Sequence, residues 1–383
     1  MRKTVRIFGA RALMTVGAVS IGLNAATAAE FDVQIEGEFL AYFGYANSDV
    51  DTDANTDFDG VDFKNEGKVA FKPVLSLDNG IELGAEIVLE AITDDDQIDE
   101  SFLFLEASFG RIELGSRVSA GYTMFYGAPD VSLLGTNDGL SGDFIPFDEE
   151  AGSVLVGNDT GLGTLNSTFI ENGGNDNAQR FTYFSPRFSG FQIGASYARD
   201  SNEDDNAQVN LSDDPLNNIF DIGLNFVETV GPVDLAVAGR WGIASDDTSD
   251  NNPQIWGVGA TVAYEGFSVG GSFSEQNNTA LSDGQSFDVG VSYETGPWGF
   301  SFAYLRGTNA DDEQANGDLA VPLGSDEELQ QFVGGVSYGL ADGVTVGVFG
   351  AYVDFDEDVS DDGTAAGDDV DGFIVGGGIA LEF

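Results

Sequence analysis

Apolar and aromatic side chains recur at every second position in many short runs of this chain. The clearest runs lie between residues 267 and 304, where the intervening positions are mostly Ser, Gly, Asp and Glu. A period of two puts successive side chains on opposite faces of a β-strand, so the runs predict strands with one apolar and one polar face. Because the polar residues are poorly suited to a packed core, we expect that face to meet water. Alternation alone leaves open which face points inward.

The connections between the runs alternate between very short and long. Short turns with Gly, Asn or Asp occur at residues 78–80, 265–266, 295–297 and 341–343, and long acidic segments occur at residues 47–60, 200–216, 308–328 and 354–371. Transmembrane barrels have short periplasmic turns, long extracellular loops and an even number of strands. We therefore predict an all-β fold, an antiparallel transmembrane β-barrel of roughly 16 strands of about ten residues, whose apolar face meets lipid.

The N-terminal segment has the order of a secretory signal peptide. Four basic residues, at positions 2, 3, 6 and 11, precede an apolar run over residues 12–23 and small residues at 26–29. The apolar run is shorter than the ~20 residues that a membrane helix needs. We expect residues 1–29 to be removed and residues 30–383 to form one barrel domain.

Charge and composition exclude several function classes. Without residues 1–29, ten basic residues remain against 66 acidic ones, a net charge of about −56. A nucleic-acid partner is excluded because binding a polyanion needs a basic face. The chain has no cysteine and no histidine, which removes disulfides, thiolate metal sites and histidine-based catalysis. We predict that the chain is not an enzyme.

Three segments resemble a known family. Residues 102–117 (FLFLEASFGRIELGSR) resemble a strand hairpin, residues 179–191 (QRFTYFSPRFSGF) resemble a Ser-Pro turn, and the chain ends on a strand with terminal Phe383. All three are similar to the general diffusion porins of Gram-negative bacteria, in particular their alphaproteobacterial branch. The resemblance implies an outer-membrane channel for passive diffusion of ions and small hydrophilic solutes, a homotrimer surrounded by outer-membrane lipid, and recognition of the C-terminal strand by the barrel-assembly machinery.

The resemblance also implies that the third loop, within residues 118–178, folds into the barrel and narrows it. Long loops in compact barrels are usually functional. The resemblance then suggests candidates for the acidic side of a constriction: Asp130, Asp138, Asp143, Asp148, Glu149 and Glu150.

An opposing basic side follows from strand parity, since side chains two apart share a face. If the neighbouring apolar residues face lipid, seven of the ten remaining basic residues face the lumen: Lys64, Lys68, Lys72, Arg111, Arg117, Arg180 and Arg240. Avoidance of lipid explains inward cations equally well, because a cation on the lipid face costs about 2–4 kcal/mol near midplane. Opposed acidic and basic walls would create a transverse field across the pore. We expect the carboxylates to dominate and produce a modest cation preference.

The acidic run over residues 49–60 raises the question of calcium. Counted from Asp49, it lacks the glycine at position six and the glutamate at position twelve of an EF-hand loop. We interpret it as a solvated external loop, require no cofactor, and leave calcium binding at the acidic loops open. Two alternatives remain: a substrate-specific outer-membrane channel, and a calcium-binding, adhesin-like surface β protein, for which no nine-residue glycine-rich repeat is present.

Overall fold

The computed structural model describes residues 29–51, 59–91, 97–137, 140–145, 164–172, 177–203, 216–246, 252–277, 282–311, 326–357 and 369–383. These residues form 16 strands: β1 Ala29–Asp51, β2 Gly60–Leu77, β3 Glu82–Glu90, β4 Ile98–Ala107, β5 Gly110–Ser116, β6 Ala178–Phe184, β7 Phe191–Glu203, β8 Leu216–Val230, β9 Val233–Asp246, β10 Gln254–Tyr264, β11 Phe267–Asn277, β12 Ser282–Thr295, β13 Trp298–Asp311, β14 Asp326–Ala341, β15 Val344–Glu357 and β16 Asp369–Glu382. One short helix, α1 Ala120–Thr123, lies between β5 and β6. The predicted signal peptide lies almost wholly outside these residues, so its removal stays a prediction.

Every strand pairs antiparallel with its neighbours in the chain, and the sheet closes on itself. The seam joins β1 to β16 through a register that runs from Glu38 opposite Glu382 to Asp51 opposite Asp369. Closure leaves no free sheet edge along this register, as a membrane barrel requires. The predicted all-β fold and its 16 strands are thus confirmed.

Twelve of the 16 strands are longer than the ten residues expected, and β1 alone has 23 residues, whereas β3–β6 have 7–10. The hydrophobic pattern underestimated them because pairing continues beyond the apolar stretch. At the seam, Asp49 lies opposite Asp371 and Asp51 opposite Asp369. Backbone hydrogen bonds thus extend the sheet into segments whose side chains are acidic.

The short connections are tight turns that suit their residues. Between β10 and β11, Glu265 and Gly266 both have positive φ, 47° and 88°. Positive φ at both central residues is the conformation of a type I′ hairpin turn, whose twist matches that of paired strands. The turn therefore returns the chain directly, and Tyr264 pairs with Phe267.

The outer face of the barrel is apolar. Phe63, Phe302 and Val348 are 75%, 53% and 60% exposed, which is the reverse of a soluble protein and fits a surface that meets lipid. Aromatic pairs lie beside the short turns, for example Phe267 with Tyr293, whose ring centroids are 4.2 Å apart. Among the described residues, no helix is long and apolar enough to cross a membrane.

The largest hydrophobic cluster lies inside the barrel. It joins inward residues of β13–β16 and β1, such as Val333 and Ile374, to Leu134, Phe144 and Ile145 from the connection between β5 and β6. Apolar residues on the inner face of a barrel wall can be buried only if a second layer of chain packs against that wall. That layer is the long connection itself.

Candidate functional site

Part of the long connection lies against the inner wall of the barrel. We call residues 118–137 and 140–145 the inner segment, and residues 164–172 the return segment. The inner segment begins at β7 and β8, where Ala120 N donates to Ser196 Oγ at 3.1 Å and Gly121 N donates to Asp221 Oδ1 at 2.6 Å. It ends at β1, where the Tyr42 hydroxyl donates to Asp143. It therefore runs round the inside of the barrel from β7 to β1.

A buried ion-pair cluster holds the start of the inner segment and the end of the return segment. Arg240 Nη2 lies 3.1 Å from Asp221 Oδ2 and 3.6 Å from Glu171 Oε2, and Arg180 Nη1 lies 3.8 Å from the same Glu171 oxygen. Arg240 Nη1 also donates to the Ile170 carbonyl at 2.5 Å. Buried charges persist only when they are paired and hydrogen-bonded in this way.

This geometry changes the interpretation of two residues. Arg180 and Arg240 face inward, as strand parity predicts, but their side chains are only 3% and 1% exposed. The inner and return segments cover both side chains. Contrary to our expectation, these two arginines therefore do not line a water-filled pore. Parity gives the face of a strand, whereas it carries no information about a second layer of chain on that face.

A second buried carboxylate, Asp288 on β12, fixes the middle of both segments. It accepts hydrogen bonds from Ala128 N at 2.9 Å, Asn137 Nδ2 at 2.8 Å and Thr168 Oγ1 at 2.9 Å, besides Ser272 on β11. These donors compensate for burial without a cation. Sequence reasoning missed this residue, although an acidic residue among Gly and Ser on an inward face was a signal for it.

Two of the six acidic candidates lie in the described residues. Asp130 accepts hydrogen bonds from Ser132 N at 2.7 Å, Thr136 Oγ1 at 2.7 Å and Ser301 Oγ at 2.6 Å, so its carboxylate holds a turn against β13. Asp143 binds Tyr42 on β1. The other four candidates, Asp138, Asp148, Glu149 and Glu150, lie outside the described residues. An acidic side of a constriction stays a prediction.

The other five basic candidates lie from β2 to the residue that follows β5, and all are paired with carboxylates. The pairs are Lys64 with Asp62; Lys68 with Glu90 and Asp99; Lys72 with Glu36 and Glu86; Arg111 with Glu106 and Glu113; and Arg117 with Glu100 and Glu113. Eight carboxylates thus surround five cations. Except for Asp62 and Glu106, which are more exposed, the paired side chains keep a third or less of their surface accessible, from 33% for Lys68 to 3% for Glu113.

Arg117 follows directly after β5, where it is buried among acidic groups. Burial alone would lower its pKa, but the carboxylates of Glu113 and Glu100 raise it, and the net pKa lies above the ordinary arginine value. The guanidinium therefore stays charged, and it also lies over the Phe102 ring at 4.5 Å.

A β-bulge places Asp99 among these pairs. The β3 register passes from Val88 opposite Glu100 to Leu89 opposite Ile98, so Asp99 is the extra residue. Bulges re-aim side chains, and Asp99 contacts Lys68 Nζ at 2.6 Å and Asn177 Nδ2 at 3.1 Å. Simple parity would have put its carboxylate on the lipid face.

The terminal Phe383 lies at the seam. Its backbone exchanges hydrogen bonds with Gly37, at 2.8 Å and 3.0 Å, and its ring covers Gly37 so closely that a side chain there would collide with it. The residue therefore terminates the pairing of β16 with β1. Whether assembly machinery recognises it stays a prediction.

Within the described residues, no group of three or more acidic side chains is arranged to hold a metal ion. Most of the acidic run over residues 49–60 and most of each other long acidic segment lie outside that part of the chain.

Comparisons with known proteins agree with this architecture. A family model described as Gram-negative porin matches residues 12–358. A porin of Rhodobacter capsulatus is 22% identical over 290 residues, which cover 70% of this chain and 93% of that protein. An uncharacterized protein of Rickettsia conorii is 22% identical over 351 residues, covering 72% of this chain and 78% of its own length.

Solved structures show the same fold. The anion-selective porin from Comamonas acidovorans superposes with a TM-score of 0.57 at 16% identity, covering 92% of this chain and all (100%) of that one. Salmonella typhi OmpF, in a complex with daunomycin, gives a TM-score of 0.57 at 16% identity and covers 92% and 98% of the two chains. With its family model, its closed barrel and its inner segment, the chain belongs to the Gram-negative porin family and is a channel of the outer membrane.

Proposed function

We propose that this porin passes ions and small hydrophilic solutes by passive diffusion along the inner faces of β1–β5, with a modest preference for cations. The observation that carries the proposal is the excess of eight carboxylates over five cations in the ion pairs there. The opposite wall, from β7 to β16, is largely covered by the inner and return segments. The β1–β5 side is therefore where charged groups meet water.

Paired cations attract anions weakly. A permeating ion near Lys68 also lies near Glu90 and Asp99, both within 3.3 Å of its ammonium, so the summed local charge is negative. The cations of the basic wall expected from parity are thus neutralised by carboxylates on the same wall. The transverse electric field across the pore is therefore weaker than separate acidic and basic walls would produce. Acidic external loops would add to the preference, and their share should fade with salt as the Debye length falls from about 30 Å at 0.01 M to about 3 Å at 1 M.

The reversal potential of purified channels in a planar bilayer under a salt gradient tests the ion preference. We expect a cation-selective sign that weakens as salt rises. Replacing Lys68 and Arg111 by Gln should strengthen the preference, whereas Arg199→Gln, on an exposed outward residue of β7, should leave it unchanged. An anion-selective wild-type channel at low salt would show that the lumen cations dominate and that the proposal is wrong.

The acidic candidates extend the proposal to the constriction. Joint neutralisation of Asp143, Asp148, Glu149 and Glu150 should shift the reversal potential toward anions. An unchanged potential would remove these four residues from the selectivity of the pore.

We further propose a homotrimer embedded in outer-membrane lipid, whose C-terminal strand is read by the barrel-assembly machinery. Family membership supports this assembly. Cross-linking in native membranes should capture trimers, and capture of monomers alone would contradict it.

We infer no cofactor and no catalytic activity, and family membership in a class of channels supports this inference. Calcium bridging between the external acidic loops stays open. Conductance and heat resistance measured with and without a chelator would test it, since a structural calcium ion should make both depend on the chelator.

A further inference from the structure

Eight residues of the inner segment, 126–133, cross six consecutive strands of the barrel. Each of these strands presents a glycine whose missing Cβ would meet the segment: Gly259 meets Tyr126, Gly270 meets Gly127, Gly290 meets Ala128 and Pro129, Gly299 meets Val131, Gly335 meets Ser132, and Gly347 meets Leu133. We call these six residues the glycine row. The order of contacts along the segment follows the order of the strands from β10 to β15.

The dimensions agree with an extended chain laid across the sheet. Six strands about 4.8 Å apart span about 24 Å, and seven residue steps of about 3.3 Å cover nearly the same distance. Residues 126–133 therefore run across the strands without slack. A chain held in this way cannot bulge locally without moving its neighbours.

The wall binds the backbone of this stretch at several points. Thr261 Oγ1 on β10 donates to the Gly127 carbonyl at 3.0 Å, Asp288 on β12 accepts from Ala128 N at 2.9 Å, and Ser301 Oγ on β13 accepts from Val131 N at 3.0 Å. These bonds fix the position along the wall. The glycines fix how closely the segment approaches it.

We propose that the glycine row sets the width of the pore. A Cβ at Gly259 or Gly335 would lie under 3.0 Å from the inner segment, and one at Gly290 would lie 3.0 Å from Ala128 Cβ and 3.1 Å from the Pro129 carbonyl. The hydrogen-bonded sheet lies on one side of the segment, so the segment can give way only toward the lumen. These six glycines are positioning residues. They affect the water path only indirectly, because they determine where the inner segment lies.

Gly→Ala substitutions test this proposal by adding one methyl group at a time. Purified Gly259→Ala and Gly290→Ala channels should show a lower single-channel conductance than the wild type. The largest neutral polymer that can enter the pore should also be smaller in these variants. Gly239→Ala, on the outward face of the neighbouring strand β9, is the control for an added methyl group that meets no inner segment, since its Cβ would have no neighbour closer than 3.8 Å. Neutral polymers report size without charge, so this readout separates pore width from ion preference, and heat-modifiable mobility verifies folding.

A rescue distinguishes positioning from general damage. In Gly290→Ala/Ala128→Gly, the nearest methyl group, Ala128 Cβ, is removed from the inner segment, while the contact of the new side chain with Ala303 Cβ at 3.1 Å within the wall remains. Conductance should therefore return toward the wild-type value. Conductance of Gly290→Ala equal to or above that of Gly239→Ala, or a double variant no closer to wild type than the single variant, would overturn the proposal.

Gly347→Ala provides a milder test, because its neighbour is the flexible end of Leu133 at 3.1 Å. If Gly259→Ala, Gly290→Ala and Gly347→Ala all failed to assemble while Gly239→Ala assembled normally, the row would serve folding rather than pore width. That result would also overturn the proposal.

Discussion

Replacing Arg240 by Met tests the buried ion-pair cluster beneath the inner segment. The substitution keeps most of the aliphatic stem and removes the guanidinium, so the Asp221 carboxylate, 2% exposed, keeps the hydrogen bond from Gly121 N and loses this cation. Breaking a buried pair by removing one partner costs about 3–5 kcal/mol. The folded population should therefore fall roughly 200- to 5,000-fold relative to the unfolded one.

The assay is urea unfolding of the protein in lipid vesicles, followed by the fluorescence of its three tryptophans. Lys64→Met is the control, because its pair with Asp62 is exposed, at 31% and 62%, and exposed pairs contribute about 0–1 kcal/mol. Arg240→Met/Asp221→Asn should lose less stability than Arg240→Met alone, since the uncompensated charge is gone. A loss for Arg240→Met no larger than for Lys64→Met would show that water reaches the cluster and that our reasoning from burial is wrong.

Three further substitutions test other contacts. Tyr42→Phe keeps the ring and removes the hydrogen bond to a carboxylate of the inner segment, so the same urea assay should show a loss of about 1.5–3 kcal/mol, and an unchanged midpoint would contradict this anchor. Asp99→Asn should shift the reversal potential toward anions by freeing Lys68 of one counter-charge; no shift would place Asp99 away from the water path. Phe383→Ala should lower the yield of heat-modifiable barrel in outer membranes at equal expression, and an equal yield would show that the terminal ring is dispensable.

Strand number, closure and the apolar outer face could be predicted from the sequence because they depend on local patterns. Alternating residues such as Phe300 and Phe302 report their own face, and tight turns such as Glu265-Gly266 report a hairpin. The inward direction of Lys64, Lys68 and Lys72 follows from the same rule. These features require no knowledge of what lies across the barrel.

The arrangement of the site could not be predicted from the sequence, because it depends on contacts between residues far apart in the chain. Arg240 is covered because residues about 70 and 120 positions earlier, Ile170 and Ser119, fold over it. Asp99 points inward because of a bulge, which a period of two cannot express. In the sequence, the inward-facing glycines look like other residues of the polar face. Their role becomes visible only in the structure, where the inner segment packs against them.

The register of the seam also bears on the order in which this protein can be made. The first strand pairs with the last, about 320 to 340 residues later in the chain, and closing a flexible loop of that length costs about 5 kcal/mol in chain entropy. Synthesis and export must deliver every strand before this pairing is available. Until then β1 and the growing end of the sheet both present open edges, so the unfinished chain depends on protection from aggregation.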